Sequence, residues 1–307
     1  MARYLLTRLV GAAVTLFLVS IVVFVLLSLA PGDPAEMILM GRQATEEDIA
    51  QLRHEMGLDV PIHIQYAHFV WDAVRGDLGR SWQNNEPVLQ QLARVFPSTV
   101  VLSLWALLLS TIVGITMGII GAVRQYSALD VLTRVVGLLG VSIPIFWLGL
   151  MLISLFAVQL HWLPSSGRGS WKHLVLPVVS LATYSVAIIA RMARSCMLEV
   201  LREDYIRTAR AKGLLERVTL FRHALKNALI PIVTVVGLQL GYLLGGAIVT
   251  ETVFAYSGLG WTMMQALFAR NYPVVRGGVL VMATAFIAVN LLVDVLYVYL
   301  DPRIRYA

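Results

Sequence analysis

Charge is what this chain has little of. Of its 307 residues only 14% are Asp, Glu, Lys or Arg, against about 25% in an ordinary soluble domain, while 58% are hydrophobic. That balance excludes a water-solvated enzyme domain and points to a chain solvated largely by lipid. Cysteine is almost missing as well: Cys196 stands alone, so an internal disulfide is impossible. The phosphate-binding pattern GxxxxGK[ST] is missing, which removes ATP binding in the P-loop manner. His161 and His173 lack metal-ligand spacing, and no serine or carboxylate pair at membrane depth is arranged for proteolysis. The chain is therefore not expected to be an enzyme, to hold a metal or to bind a cofactor of its own. Its formal charge is +6. The basic residues lack the aromatic interleaving of a nucleic-acid site, so membrane lipid is the expected partner and nucleic acid is not.

What is there is a series of apolar runs. Residues 9–30 carry no charge, follow Arg3 and Arg8, and exceed the roughly 7–15 residues of a signal-peptide core, so they are expected to remain as a first span. Residues 31–98 form the only sizeable polar region, with ten acidic and five basic residues. Within it Thr45 before Glu46, Glu47 and Asp48 reads as a capped helix start, and Gly57 as that helix's end. Asp59-Val60-Pro61 opens a second helix carrying Ile62, Tyr66, Phe69 and Val70 on one face. This region is expected to be a small helical cap or a contact for a docked partner. Five further spans are predicted at about 99–123, 135–160, 174–190, 228–250 and 277–300, with Pro144 bending the second of them. The expected fold is an all-α membrane protein of six transmembrane helices, with 99–307 as its core. If the N-terminus is inside, inner segments hold 15 Lys and Arg and outer segments 9. Both termini and the loop 191–227 are thus placed in the cytoplasm, and 31–98 outside.

The most charged run is Asp204 to Pro231, DYIRTARAKGLLERVTLFRHALKNALIP. It reads as a helix up to Lys212, a left-handed C′ residue at Gly213, and a second amphipathic helix through Val218, Phe221, Leu225 and Ala228. Glycines recur every four residues at Gly114 and Gly118 and again at Gly237, Gly241 and Gly245, a spacing that lets helices approach closely in lipid. The second stripe faces a helix either of this chain or of another. Glu251 reads as a helix-end carboxylate at the outer interface, followed by a Gly258-Leu259-Gly260 turn. Asp294 reads as a carboxylate near the inner boundary, in reach of Arg303, Arg305 or the 191–227 loop. For both acids a structural role is preferred to gating. On that reading Asp294→Asn lowers assembly more than transport per assembled complex.

The 204–231 run resembles the EAA loop of permease subunits in ATP-binding-cassette importers. From Tyr205 through Arg207-Thr208-Ala209-Arg210-Ala211-Lys212-Gly213 to His223 and Pro231 it follows the dipeptide and oligopeptide permease form, YxRTARAKG…HALRNALIP, with Lys226 for Arg. It departs from the general family pattern, whose leading Glu and closing Pro are Arg207 and Lys226 here. Further matches are Pro31-Gly32-Asp33-Pro34, Gly57-Leu58-Asp59, Gly76-Asp77-Leu78-Gly79, Glu251-Thr252-Val253-Phe254 with Gly258-Leu259-Gly260, and the stretch 290–303. The resemblance, to a B-type subunit of the branch shared by peptide, glutathione and nickel systems, implies residence in a bacterial or archaeal cytoplasmic membrane. It implies as partners a second homologous permease subunit, two cytoplasmic ATPase subunits that use ATP and Mg, and an external solute-binding protein. The helix ending at Gly213 would then be the coupling helix, with Tyr205, Arg207, Ala209, Lys212 and Gly213 touching the ATPase, and Gly213→Arg would uncouple hydrolysis from uptake. The competing reading is a stand-alone secondary transporter or channel. Few ionisable groups in the spans and no evident internal repeat count against it.

Overall fold

The computed structural model describes residues 2–39 and 45–300, which form helices and turns joined by a single isolated β-bridge between Arg80 and Pro87. Five helices carry stretches long and apolar enough to cross a membrane: α1 (Ala2–Ser28), α5 (Val88–Val123), α8 (Lys172–Leu201), α11 (Leu225–Val253) and α13 (Tyr272–Leu300). Between α1 and α5 lie α2 (Pro34–Leu39), α3 (Glu46–Glu55) and α4 (Ile62–Val74). The expected third span is not one helix. α6 (Ala128–Ser142) and α7 (Ile145–Leu152), which runs on into a π-helical segment at Ile153–Gln159, meet at 104°. Pro144 causes the break: its ring holds Ile143 extended, at ψ 122°, and α7 starts afresh beyond it. α6 has 15 residues, about 22 Å, which is short of the roughly 30 Å of hydrocarbon. The described residues thus hold five continuous candidate spans, and six when this bent pair is counted as one.

Other boundaries shift for identifiable reasons. α5 begins eleven residues ahead of the expected 99 and contains Pro97; its 36 residues reach about 54 Å, well beyond the membrane thickness. α8 contains Pro177 and continues to Leu201, and α11 contains Pro231. Neither Pro31-Gly32-Asp33-Pro34 nor Gly258-Leu259-Gly260 is merely a turn. The first leads into α2, and Gly258 is the N-cap of α12 (Leu259–Phe268).

The chain divides into two compact units, Met1–Thr99 with Ser257–Ile287, and Val100–Tyr256 with Ala288–Ala307. In the first unit Thr45 and Asp48 complete a reciprocal cap on α3, and Gly57 and Gly76 end α3 and α4 in the left-handed region at φ +65° and +85°. α4 lies on α1 through Tyr66, whose hydroxyl is 2.9 Å from Ser20 Oγ and whose ring meets Phe24 edge-on at 5.2 Å. Arg276 of α13 stacks its guanidinium 4.1 Å over the Phe24 ring. Asn271 stitches the 79–83 loop to the start of α13, donating to Ser81 Oγ and accepting from the Trp82 amide at 2.8 and 3.0 Å. In the second unit α8 is the central element, packed by α6, α7 and α11. One apolar cluster joins Leu102, Leu181, Leu243 and Phe254, and another joins Met197, Ile206, Ala224 and Ile232.

Candidate functional site

Between α8 and α11 the backbone builds a corner. α9 (Asp204–Ala211) closes on Lys212, and Gly213 follows at φ +77°. The Gly213 amide donates to Arg210 O at 2.9 Å and the Leu214 amide to Ala209 O at 3.3 Å. These are the two bonds of a Schellman termination, which satisfies carbonyls the helix would leave open. Only a residue without Cβ holds the left-handed turn freely, and the space a Cβ would enter at Gly213 is open. α10 (Glu216–Val218) then starts, followed by a π-helical turn over Thr219–Ala224 and α11.

Three contacts fix the corner. Arg210 grips Glu216 with both nitrogens, at 3.1 and 2.7 Å, across the glycine. That guanidinium holds the Glu216 carboxyl below its ordinary range. The tether is therefore charged at neutral pH and is lost only as pH falls through that depressed value. The Asn227 amide donates to the Tyr205 hydroxyl at 2.7 Å, joining α9 to the start of α11. Ile206 is fully buried against Met197 of α8 and Ala224. Held this way, α9 turns Tyr205, Arg207, Lys212 and Gly213 outward.

Ala209 is different. It is 8% exposed and faces inward with Ile206, so its small side chain lets α9 lie close to its own unit. The amphipathic pattern beyond the corner also needs correcting. Phe221 is 57% exposed while Thr219 is wholly buried. Of the expected face, Ala228 is buried and Leu225 packs on the cluster with Met197 and Ile206; Phe221 alone turns out, where the π turn adds a residue to the repeat. Phe221 and Val218 instead form a shallow depression with Arg217 and Arg222. Leu214 and Leu215 are exposed beside it. The corner thus presents cations and apolar side chains together, which suits a protein partner.

The other expected site residues are scattered. Gly237 packs against Val293, where an added Cβ would come within 2.7 Å of Cγ2. Gly241 is buried, and Gly245 is exposed with nothing within 4 Å of an added Cβ. Glu251 stands at a helix end as expected, in the last turn of α11, but is 0% exposed there, close to Tyr256. The Gly167 amide donates to Phe254 O just beyond it, at 3.0 Å. Asp294 is half-buried; Arg303 and Arg305, proposed to reach it, lie outside the described residues. Neither acid is without a partner.

A further charged site joins α6 to α8. Asp130 on α6 is 0% exposed and is held by Arg194 of α8 through two bonds, 2.7 and 2.9 Å, with the Tyr126 amide donating at 3.1 Å. Gly121 makes room for the pair, since a Cβ there would stand 3.3 Å from both Asp130 Oδ1 and Arg194 Cδ. Losing Arg194 would leave the buried Asp130 carboxylate with only the looser Arg134 contact at 3.5 Å, a loss on the order of 1–3 kcal/mol. The sequence signal, Ser127-x-x-Asp130, is an ordinary helix cap, and indeed the Asp130 amide donates to Ser127 Oγ.

Comparison with known proteins sets this geometry in context. Residues 114–306 match the family described as "Binding-protein-dependent transport system inner membrane component", and residues 1–103 match its N-terminal companion, "Binding-prot-dependent transport system membrane comp, N-term". The dipeptide transport system permease protein DppB of Alkalihalophilus pseudofirmus is 44% identical, with all of both chains covered. The glutathione transport system permease protein GsiC of Escherichia coli (strain K12) is 42% identical, again over all of both. Among solved structures, an inward-facing form of the MetNI methionine ABC transporter superposes with a TM-score of 0.58 at 20% identity, covering 70% of this chain and 99% of that one. An amino acid ABC transporter crystallised with histidines gives 0.55 at 13% identity, over 68% and 93%. At those identities the structures speak for the fold.

Proposed function

Since the chain belongs to the family of binding-protein-dependent transport system inner membrane components, and is thus a multi-pass permease subunit of an ATP-binding-cassette importer, we propose that the Gly213 corner is where it receives motion from its ATPase partners. The observation that carries this is the outward set Tyr205, Arg207, Lys212 and Gly213 on a helix braced by Arg210–Glu216 and Tyr205–Asn227. A short braced helix can transmit displacement as a rigid lever, whereas a loose loop would absorb it. On this reading the 204–224 segment and both termini face the cytoplasm, and 31–98 faces the side where a solute-binding protein docks. ATP and Mg belong to two ATPase subunits, because this sequence has no phosphate-binding loop. A second homologous permease completes the pathway, in a bacterial or archaeal cytoplasmic membrane. The solute is a dipeptide, an oligopeptide or a small peptide-like compound of the glutathione kind, by analogy with the full-length relatives. Family membership displaces the self-contained transporter or channel as a reading.

The test uses two substitutions at one position. Gly213→Ala enters open space and costs only about 1 kcal/mol of left-handed strain, so uptake should stay near wild type. Gly213→Arg places a long side chain on the docking face and should abolish uptake of labelled dipeptide in vesicles while ATP hydrolysis by the assembled complex continues. Full uptake with Gly213→Arg would refute the coupling role.

A further inference from the structure

A second group of basic side chains lies away from the Gly213 corner. Where α6 and α8 meet, Arg134, Arg191 and Arg194 line a cleft of about 460 Å³ together with Thr133, Ser195 and Leu138. Arg194 is committed to Asp130 through its two short bonds. Asp130 also stands 3.5 Å from Arg134, but one carboxylate against three guanidiniums leaves a net charge of +2, and the cleft lining contains no other acid. Arg191 is exposed and makes no ion pair among the described residues.

The helix beside this cleft has its polarity reversed. α6 buries Asp130 and Gly140 and exposes Val131, Leu132, Val135 and Leu138. In water such a face is a liability, whereas in a membrane it is solvated by acyl chains. Unneutralised guanidiniums, hydroxyls and an apolar helix face thus occur side by side, which is the chemistry of a phospholipid read from headgroup to tail. We propose that the cleft binds an anionic phospholipid of the surrounding membrane. Arg134 and Arg191 donate to its phosphate, the Thr133 and Ser195 hydroxyls lie within the same cleft, and its acyl chains run along the exposed face of α6. Basic pockets between membrane helices hold anionic headgroups through this combination of fixed charge and low dielectric. A protein covering the same face would have to supply acidic side chains; a lipid brings the anion and the chains in one molecule. Arg194, fixed by Asp130, forms the rigid floor. The inference does not depend on the role given to Gly213.

The full chain, purified with whatever subunits accompany it, is reconstituted in nanodiscs of equal phosphatidylglycerol and phosphatidylcholine. It is then released into mild detergent, and retained lipid is counted by native mass spectrometry. Wild type should keep phosphatidylglycerol in preference to phosphatidylcholine. Arg191→Gln should lower that retention about fivefold, and Arg134→Gln with Arg191→Gln by well over tenfold. The double Lys variant should restore it. Both side chains are exposed; Arg191→Gln leaves the Asp130–Arg194 pair untouched and Arg134→Gln removes only the longer 3.5 Å contact to Asp130, so an unchanged size-exclusion profile is expected, with Arg191→Gln as the milder variant. Equal retention of the two lipids, or undiminished phosphatidylglycerol in Arg191→Gln and the double variant, would overturn the proposal. So would complete displacement by millimolar inorganic phosphate, which would mark a free-anion site. Phosphatidylglycerol bound only after a second permease chain has dissociated would assign the face to a subunit seam instead. Gly213→Arg should retain the lipid normally, which separates failure here from failure of the coupling reading.

Discussion

Gly114 and Gly118 of α5 share a four-residue spacing with Gly237, Gly241 and Gly245 of α11, yet the structure surrounds the two stripes differently. An added Cβ at Gly118 would stand 2.5 Å from Ala193 Cβ and 2.7 Å from the Ala190 carbonyl, and at Gly114 it would meet Ile189 at 2.8 Å. Both glycines are therefore spent on α8, inside the chain's own second unit. Along α11 the stripe diverges: Gly237 is closed by Val293, while Gly245 faces nothing within 4 Å. Spacing announces that a helix can be approached closely. It does not say by what, because the identity of the approaching surface is set elsewhere in the chain or in another chain.

Three substitutions would break or sharpen that contrast. Gly118→Leu should have the largest effect. Its side chain would push on the α8 backbone and draw Arg194 away from Asp130, costing about 3 kcal/mol or more. The expected readout is aggregation on size exclusion and loss of membrane-inserted protein; a monodisperse variant of normal heat stability would show that α5 and α8 are not in tight contact. Gly237→Leu meets the Val293 side chain first and should cost about 1–3 kcal/mol, seen as a lower midpoint of thermal inactivation with the chain still inserted. Gly245→Leu should leave the chain's own stability within about 1 kcal/mol of wild type, since the space is open and leucine favours helix. If that open stretch is the seam with a second permease subunit, co-purification of that subunit should fall severalfold. Unchanged co-purification would send the seam elsewhere.

Much of the candidate site could be read along the chain. A helix ended by Gly213 follows from local rules, because only glycine holds φ +77° without strain and the charged, breaker-free stretch before it suits a helix. The cap at Thr45 and Asp48 is local in the same sense. That Ala209 turns inward and Phe221 outward is not legible along the chain, because helical phase decides burial. Within eight residues of α9 the inward face depends on where Ile206 finds a cavity, and a π turn that no residue pattern announces rotated Phe221 outward. Glu251 was unreadable for a related reason. A carboxylate next to a helix end looks exposed until the turn that carries Tyr256 is seen folded back beside it, the Tyr256 amide donating to Glu251 O at 2.9 Å.

Taken alone, the sequence determined the solvent and the class: scarce charge and runs of apolar residues require lipid and helices, since in a bilayer backbone groups must be satisfied within the segment. It also determined the helix ends at Gly57 and Gly213, where glycine acts through its own backbone, although Pro97, Pro177 and Pro231 sit inside continuous helices. Only the tertiary structure decided that Pro144 opens a 104° break rather than a gentle bend. Only there, too, is Asp130 joined to Arg194, 64 residues away, through the room left by Gly121. Those outcomes depend on which helix surfaces come to lie side by side, and that pairing is a property of the packed chain which no local spacing encodes.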